Sequence, residues 1–225
     1  MAKPRILLSF LVDEQTESNQ FGQLLLNLMF HIKELSPEFV GNSEPIENPV
    51  DSINDAIIYW SENPFMWRRR HRIISSGYVH HTGVYGAGSV ILDATYNASF
   101  EWCDLFHNLV SLTNPSYAYL HLVTEHERAS TELGVAEMQQ FSLGALAKTV
   151  NQGFIELGWA NYFGEKWRDS IDMQRLTESS SKIIVSDRGI LFKITENLED
   201  INSDYAAFAA RRRVVKSAFS PGVFR

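Results

Sequence analysis

Cysteine is almost absent from this 225-residue chain, in which Cys103 is the only one. A single cysteine excludes an internal disulfide framework and fits a reducing compartment. Its surroundings, Ser99 to Leu105, predict a helix, where a lone cysteine is usually a small buried apolar residue. His107 follows on the same helical face, but a structural cysteine is favoured over a catalytic Cys–His pair, because most free cysteines are inert.

Long apolar runs are also missing. The stretch Ile6 to Val12 follows a basic start and ends at Asp13-Glu14. It is too short to cross a bilayer and lacks the cleavage site of a signal peptide. We therefore expect a cytoplasmic protein with no membrane partner. With 44% hydrophobic and 21% charged residues, the composition is that of a globular chain, and we predict one domain over residues 1–225.

Basic residues are scarce in the first part of the chain. Residues 1–66 contain three basic and ten acidic residues, and their balance equals the whole-chain net charge of −7. An acidic surface of this kind repels nucleic acid and attracts basic partners. The alternative interpretation is a solvated face that keeps the protein soluble.

Recognised catalytic motifs are missing as well. The sequence has no nucleophile elbow, Walker loop, Rossmann fingerprint or helical zinc motif. The glycines of residues 83–88 precede a predicted strand and not a helix N-terminus, so the usual anion-binding geometry is absent. His81, His121 and Glu125 could form a metal site only if the fold brought them together. We therefore expect no enzyme, metal or cofactor, and a metal-dependent hydrolase using these three residues is the alternative function.

The strongest basic run is Arg68-Arg69-Arg70-His71-Arg72. Arginines in such a run could contact the phosphates of a nucleic acid. We favour salt bridges to the acidic first part of the chain, because a protein with an isoelectric point near 5.5 lacks a broad basic footprint. No nucleic-acid partner is expected.

Apolar periodicity predicts an α+β fold, with an antiparallel sheet, or a mixed sheet as the alternative, covered by helices in a single compact domain. The residues from Gly41 to Pro49 are polar and predict an exposed loop, and Glu125 to Phe154 predicts only a weak helix. The remaining predictions are strands at Ile6–Val12, Tyr117–Val123 and Trp159–Phe163; hairpins at Tyr78–Tyr96 and Lys182–Thr195; helices at Phe21–Leu35, Val50–Glu62, Ser99–Leu112 (capped by Asn97 or Ser99) and Ser203–Phe219; and a helical turn at Ile171–Leu176.

The last third of the chain contains three distinctive stretches rich in aromatic residues, glycine or arginine. They are Leu157-Gly158-Trp159-Ala160-Asn161-Tyr162-Phe163-Gly164, Gly189-Ile190-Leu191-Phe192-Lys193-Ile194-Thr195, and Arg211-Arg212 with Phe219 and Phe224-Arg225. Together they resemble the immunity protein 52 family of bacterial polymorphic-toxin systems. Ser99-x-x-Trp102 and Tyr117 with His121-Leu122-Val123-Thr124 are similar to that family too, so the resemblance extends over residues 1–225 and is most specific after residue 95.

The resemblance implies a cytoplasmic antidote that does no chemistry itself. Such proteins bind and block a cognate toxin, often a nuclease-like domain delivered by type VI secretion. A homodimer of this chain is a further possible assembly. We place the toxin-binding surface in residues 41–62, where Glu44, Glu47, Asp51 and Asp55 would face a basic cleft. Trp159 and Trp167 are predicted to belong to the core, because aromatic residues in glycine-bounded strands are mostly buried.

Overall fold

Ten strands form one sheet in the computed structural model, which describes residues 3–13, 16–81, 87–129, 134–144 and 153–224. The strands are β1 (Arg5–Val12), β2 (Phe39–Gly41), β3 (Asn48–Pro49), β4 (Phe65–Arg69), β5 (Ser75–His80), β6 (Gly88–Thr95), β7 (Tyr117–Val123), β8 (Ala160–Gly164), β9 (Lys182–Val185) and β10 (Gly189–Lys193). Their order across the sheet is β3-β2-β4-β5-β6-β1-β7-β8-β10-β9. Each strand pair in this order is antiparallel, which confirms the predicted antiparallel α+β fold.

Eight α-helices and one 3-10 helix accompany the sheet in the described residues. The α-helices are α1 (Asn19–His31), α2 (Ile53–Ile57), α3 (Trp102–Thr113), α4 (Glu125–Arg128), α5 (Val135–Ser142), α6 (Met173–Ser179), α7 (Asp200–Ser203) and α8 (Tyr205–Lys216), and the 3-10 helix is Glu165–Ser170. None of the helices in the described parts of the chain is long and apolar enough to cross a membrane.

The two faces of the sheet are covered by different helices, because successive side chains of a strand point to opposite faces. On the first face, Phe10 of β1 lines a small apolar cavity together with Leu25 of α1 and Leu109 of α3. On the second face, Tyr119 of β7 stacks on Phe141 of α5 with ring centroids 5.0 Å apart. Every residue of β7 is buried, as expected for a central strand covered on both faces.

Strand β4 was missed by the sequence analysis. Its pattern alternates, with Phe65, Trp67 and Arg69 buried and the two intervening residues half-buried. Arg69 disguises the alternation because it is a charged residue at a buried position. The basic run therefore begins inside the sheet and does not form a separate basic surface.

The predicted polar loop from Gly41 to Pro49 is partly wrong. Residues of this segment form the hairpin β2–β3 at one edge of the sheet, and Ile46 at its tip is buried.

The predicted cap, Asn97 or Ser99, of the helix at Ser99–Leu112 is also wrong. Helix α3 begins only at Trp102, and Asn97 Oδ1 instead accepts a hydrogen bond from Ser99 N, 3.0 Å away. Local hydrogen bonding of the Asn97 side chain competes with helix capping here.

Other predicted elements differ mainly in their boundaries. The predicted helix at Val50–Glu62 is the short α2, and the predicted closing helix at Ser203–Phe219 corresponds to α8, which follows the short α7. Both predicted hairpins are present as β5–β6 and β9–β10. The turn of the first, residues 82–86 with two of the glycines considered above, lies outside the described residues.

Candidate functional site

The four acidic residues predicted to bind a toxin lie where the sheet ends at β3. Glu44 and Glu47 belong to the loop between β2 and β3, Asp51 lies between β3 and α2, and Asp55 lies in α2. All four are exposed. We call these four residues the acidic edge. Whether they bind a partner remains a prediction.

The backbone under the acidic edge is held firmly in place. Ile46 packs inward between the two glutamates of the loop, and Asn48 Nδ2 donates to Val40 O at 3.0 Å. After the hairpin, Val50 N donates to Glu38 O at 3.0 Å. The surface is therefore presented by an ordered segment, which lowers the conformational entropy lost when a partner binds.

Asp55 differs from the other three because it also stabilises α2. Ser52 Oγ accepts from Asp55 N at 3.3 Å, and Asp55 Oδ2 accepts from Ser52 Oγ at 2.8 Å and from Asp51 N at 3.3 Å. This is a reciprocal helix cap. The hydrogen bond from the Ser52 hydroxyl, followed by the one from Asp51 N, lowers the pKa of the Asp55 carboxyl. A substitution at Asp55 would therefore change the helix as well as the surface charge.

Three arginines of the basic run make contacts away from the acidic edge. Arg69 Nη1 lies 3.5 Å from Glu38 Oε1 and donates to Ser36 O at 2.6 Å. The guanidinium of Arg70 lies 4.5 Å from the centre of the Phe39 ring. Arg72 Nη1 lies 3.8 Å from Glu34 Oε1. These contacts confirm that the basic run pairs with the acidic first part of the chain.

Within the described residues, none of the four acidic-edge carboxylates forms an ion pair. The segment of residues 41–62 contains five acidic residues and no lysine or arginine. An unpaired cluster of like charges produces a local negative potential that attracts a basic surface. Such a cluster also favours solubility.

Ile58 is a feature of this surface that the sequence analysis missed. Its side chain is 71% exposed at the C-terminal end of α2, three residues after Asp55. The inner side of this segment includes Trp60, which is fully buried. A large exposed aliphatic side chain that is close in sequence to acidic residues fits the composition of a protein interface, in which an apolar centre has a polar rim.

The structure does not bring together the residues of the alternative metal site. His81 Nε2 donates to Trp60 O at 2.6 Å on the first face of the sheet. His121 lies on the second face, level with Ser76 of β5 across the sheet. The two histidines are therefore about 20 Å apart by strand spacing and rise. Glu125 is exposed beyond the end of β7, and in the described chain no three His, Cys, Asp or Glu residues form a group that could hold a metal.

The Cys103–His107 pair also has a structural explanation. Cys103 Sγ lies 3.8 Å from His107 Nε2 on α3, and the cysteine is half-buried. Burial lowers the pKa of His107, and the charges of Lys193 and Lys182 lower it further. A histidine that is kept neutral in this way gives little stabilisation to a thiolate.

A buried ion network lies under the second face of the sheet, and we define it as His121, Glu127, Glu156, Arg212 and Lys216. His121 Nε2 donates to Glu127 Oε2 at 2.5 Å, and Arg212 Nη1 donates to Glu127 Oε1 at 2.7 Å. Lys216 Nζ lies 3.1 Å from Glu156 Oε1, and Arg212 Nε lies 4.0 Å from Glu156 Oε2. The network links β7, α4, the segment before β8, and α8.

Opposing effects set the ionisation of Glu127. Burial alone would raise its pKa, but the charge and hydrogen bond of His121 and those of Arg212 overcome burial and lower the pKa to about 2. The side chains of His121, Glu127 and Arg212 are almost completely removed from solvent. Because substrate could not reach them, the network serves to join parts of the fold. Of the network residues, only Arg212 and His121 belong to stretches that the sequence analysis singles out.

The stretches that carry the family resemblance build the core. Trp159 is buried as predicted, and its Nε1 donates to Thr195 Oγ1 at 3.1 Å. Trp167 is half-buried and packs edge-on against Phe154 at 4.9 Å between ring centroids. Comparison with protein-family models gives no match for this chain, and comparison with curated proteins gives none either.

Proposed function

We propose that this chain is an immunity protein that binds a cognate bacterial toxin and neutralises it by covering the toxin's active site. The observation that carries the proposal is the acidic edge, four exposed carboxylates on an ordered segment without basic neighbours in sequence. The resemblance of the last third to the immunity protein 52 family supports the same function. In this proposal the protein acts in the cytoplasm and catalyses no reaction.

The charge of the acidic edge favours a nuclease as the toxin. A nuclease cleft must be basic, because it neutralises the phosphates of its substrate. Carboxylates on the immunity protein would occupy the positions of those phosphates and exclude the substrate. Long-range attraction between the surfaces would speed association, and the complex would weaken as salt screens the charges.

Ile58 would supply the apolar contact at the centre of this surface. Charged residues at an interface rim mainly affect association, whereas buried apolar residues at the centre slow dissociation. With 71% of its side chain exposed in the free protein, Ile58 has apolar area to bury against a partner. A metal-dependent hydrolase is not proposed, because His81 and His121 lie on opposite faces of the sheet.

The test uses the protein encoded by the gene immediately before this one. That protein is expressed from an inducible promoter in cells with or without this chain, and growth and nucleic-acid integrity are followed. We expect toxicity that this chain suppresses, and a complex of the two proteins that co-purifies at low salt. A toxic neighbour that this chain neither suppresses nor binds would refute the proposal, and so would a harmless neighbour.

A further inference from the structure

The two edges of the sheet differ in their capacity to pair with another strand. At one edge, β3 has only two residues, and one of them is Pro49, which has no N–H to donate. At the other edge, β9 has four residues, Lys182-Ile183-Ile184-Val185, and contains no proline. Ile184 is 42% and Val185 56% exposed. The β9 edge therefore has both free length and apolar surface.

The pairing of β9 with β10 determines which backbone groups point outwards. Ser186 N donates to Gly189 O at 2.9 Å, so Ser186 and Gly189 form a hydrogen-bonded pair. Ile184 is two residues before Ser186 and lies opposite Leu191 of β10. Because hydrogen-bonded pairs alternate in an antiparallel ladder, Ile184 directs its N–H and C=O towards β10. Ile183 and Val185 direct theirs away from the sheet, and in the described residues no backbone group pairs with that side.

We propose that β9 pairs with β9 of a second copy of this chain in an antiparallel, two-fold symmetric dimer. The two-fold axis passes through Ile184, which lies opposite Ile184 of the partner subunit. Ile183 then lies opposite Val185 of the partner subunit, and each such pair can exchange both of its N–H···O bonds. The outward groups at Ile183 and Val185 are the ones that this register uses, and the sheets of the two copies become continuous.

Side-chain chemistry favours this register and a second copy as the occupant. A two-fold axis normal to the sheet pairs only residues on the same face, and here it pairs Ile with Ile and Ile with Val. A lysine on an edge strand often prevents pairing with another strand. In this register Lys182 lies opposite Ser186 of the partner subunit, so it meets no like charge. An axis through Val185 would place Ile183 opposite Asp187, and an axis through Ile183 would place Lys182 opposite Ile184. Only the axis through Ile184 matches apolar residues at all three central positions.

The dimer is expected to be weak and compatible with toxin binding. Pairing of four-residue strands buries less than the roughly 1,600 Å² of a standard interface, so association should depend on protein concentration. The acidic edge lies at the opposite end of the sheet from β9. Each copy would therefore keep its acidic edge free, and the inference does not rest on the proposed function.

Disulfide trapping tests the register directly. Ile184→Cys is introduced into the full-length Cys103→Ala protein and compared with Val185→Cys in the same background. Non-hydrogen-bonded antiparallel pairs have Cα atoms about 4.5 Å apart, within disulfide range. We expect Ile184→Cys to form the covalent dimer at least about ten times faster, because Val185 faces Ile183 of the partner subunit. Equal rates for the two variants, or no dimer with either, would overturn the proposal.

Sedimentation equilibrium of the unmodified protein gives an independent test. We expect dimers to accumulate towards about 100 µM protein, and Ile184→Asp to remain monomeric, because two carboxylates would meet at the axis. Ile74→Asp is the matched control, since Ile74 is also exposed but precedes β5, far from β9. A monomer at all concentrations, or an Ile184→Asp dimer as stable as the unmodified one, would refute the dimer. A monomer whose toxin protection is lost in Ile184→Asp would assign the edge to the toxin instead.

Discussion

Arg212 Nη1 donates to Glu127 Oε1 across 2.7 Å, and both side chains are buried. The two residues are 85 positions apart in the sequence. The second carboxylate oxygen of Glu127 accepts from His121 of β7. A single carboxylate therefore joins the C-terminal helix to the central strand of the sheet, and docking of α8 provides the cation that Glu127 requires.

Removing the Arg212 cation should destabilise the protein strongly. Breaking a buried ion pair on one side leaves the other charge uncompensated, at a cost of about 3 kcal/mol or more. We expect Arg212→Met to lower the free energy of unfolding by that amount in denaturant titrations. Arg211→Met is the matched control: Arg211 is exposed and donates only to Ser179 O in the described structure, so its loss should change stability by less than about 1 kcal/mol. Equal effects of the two variants would contradict the role of the network.

Acid should destabilise the protein through Glu127. The pKa of its carboxyl is about 2 in the folded protein and 4.5 for an ordinary glutamate. The ionised form therefore stabilises the fold above about pH 4.5, and this contribution, about 3 kcal/mol, disappears as the pH falls to about 2. We expect the free energy of unfolding of Glu127→Gln, followed by circular dichroism, to fall less steeply over this range. Glu165 is exposed, so the pH dependence of the free energy of unfolding of Glu165→Gln should match that of the unmodified protein. If Glu127→Gln shows that same pH dependence, Glu127 is not the source of the acid sensitivity.

Charge reversal of the acidic edge should weaken toxin binding without unfolding the protein. The variant replaces Glu44, Glu47 and Asp51 with lysine and spares Asp55, which caps α2. We expect the affinity for the toxin, measured by calorimetry, to fall at least about a hundredfold at low salt, because attraction becomes repulsion.

The control for this experiment carries the same change of net charge elsewhere. Reversal of Glu165, Asp169 and Glu196, which are exposed and lie outside residues 41–62, should leave the affinity within about threefold, because screening confines each charge to its neighbourhood. Adding Asp55→Lys to the edge variant tests whether all four acidic-edge residues act together. Unchanged affinity in the edge variant would remove this surface from the proposal.

Gly158 should tolerate no side chain. A Cβ atom there would lie 2.8 Å from Tyr119 Cβ and 2.9 Å from Leu120 O, and neither neighbour can move without disturbing β7. We expect Gly158→Ala to destabilise the protein by about 2 kcal/mol or more through overpacking. At Gly41 the nearest atom would be 3.6 Å away, so Gly41→Ala should remain within about 1 kcal/mol of the unmodified protein. Thermal unfolding of both variants makes the comparison.

Much of the fold could be predicted from the sequence because the signals are local. The strand Tyr117–Val123 and the hairpin at Lys182–Thr195 follow from apolar runs bounded by turn residues, and the structure confirms both. Strand β4 could not be predicted in the same way, because Arg69 hides its alternation. The acidic edge was visible as charge, but the exposure of Ile58 depends on how five-residue α2 packs.

The sequence by itself determined the α+β class, the acidic character of residues 41–62 and the aromatic core strands, since each depends on residues close together in the chain. Only the tertiary structure decided which charges are compensated. It pairs Arg69 with Glu38 and Arg212 with Glu127, leaves the acidic edge unpaired in the described residues, and separates His81 from His121. It also decided that β9 is an edge. Coulombic and hydrogen-bonded partners are set by distance in space, which composition and spacing along the chain do not contain.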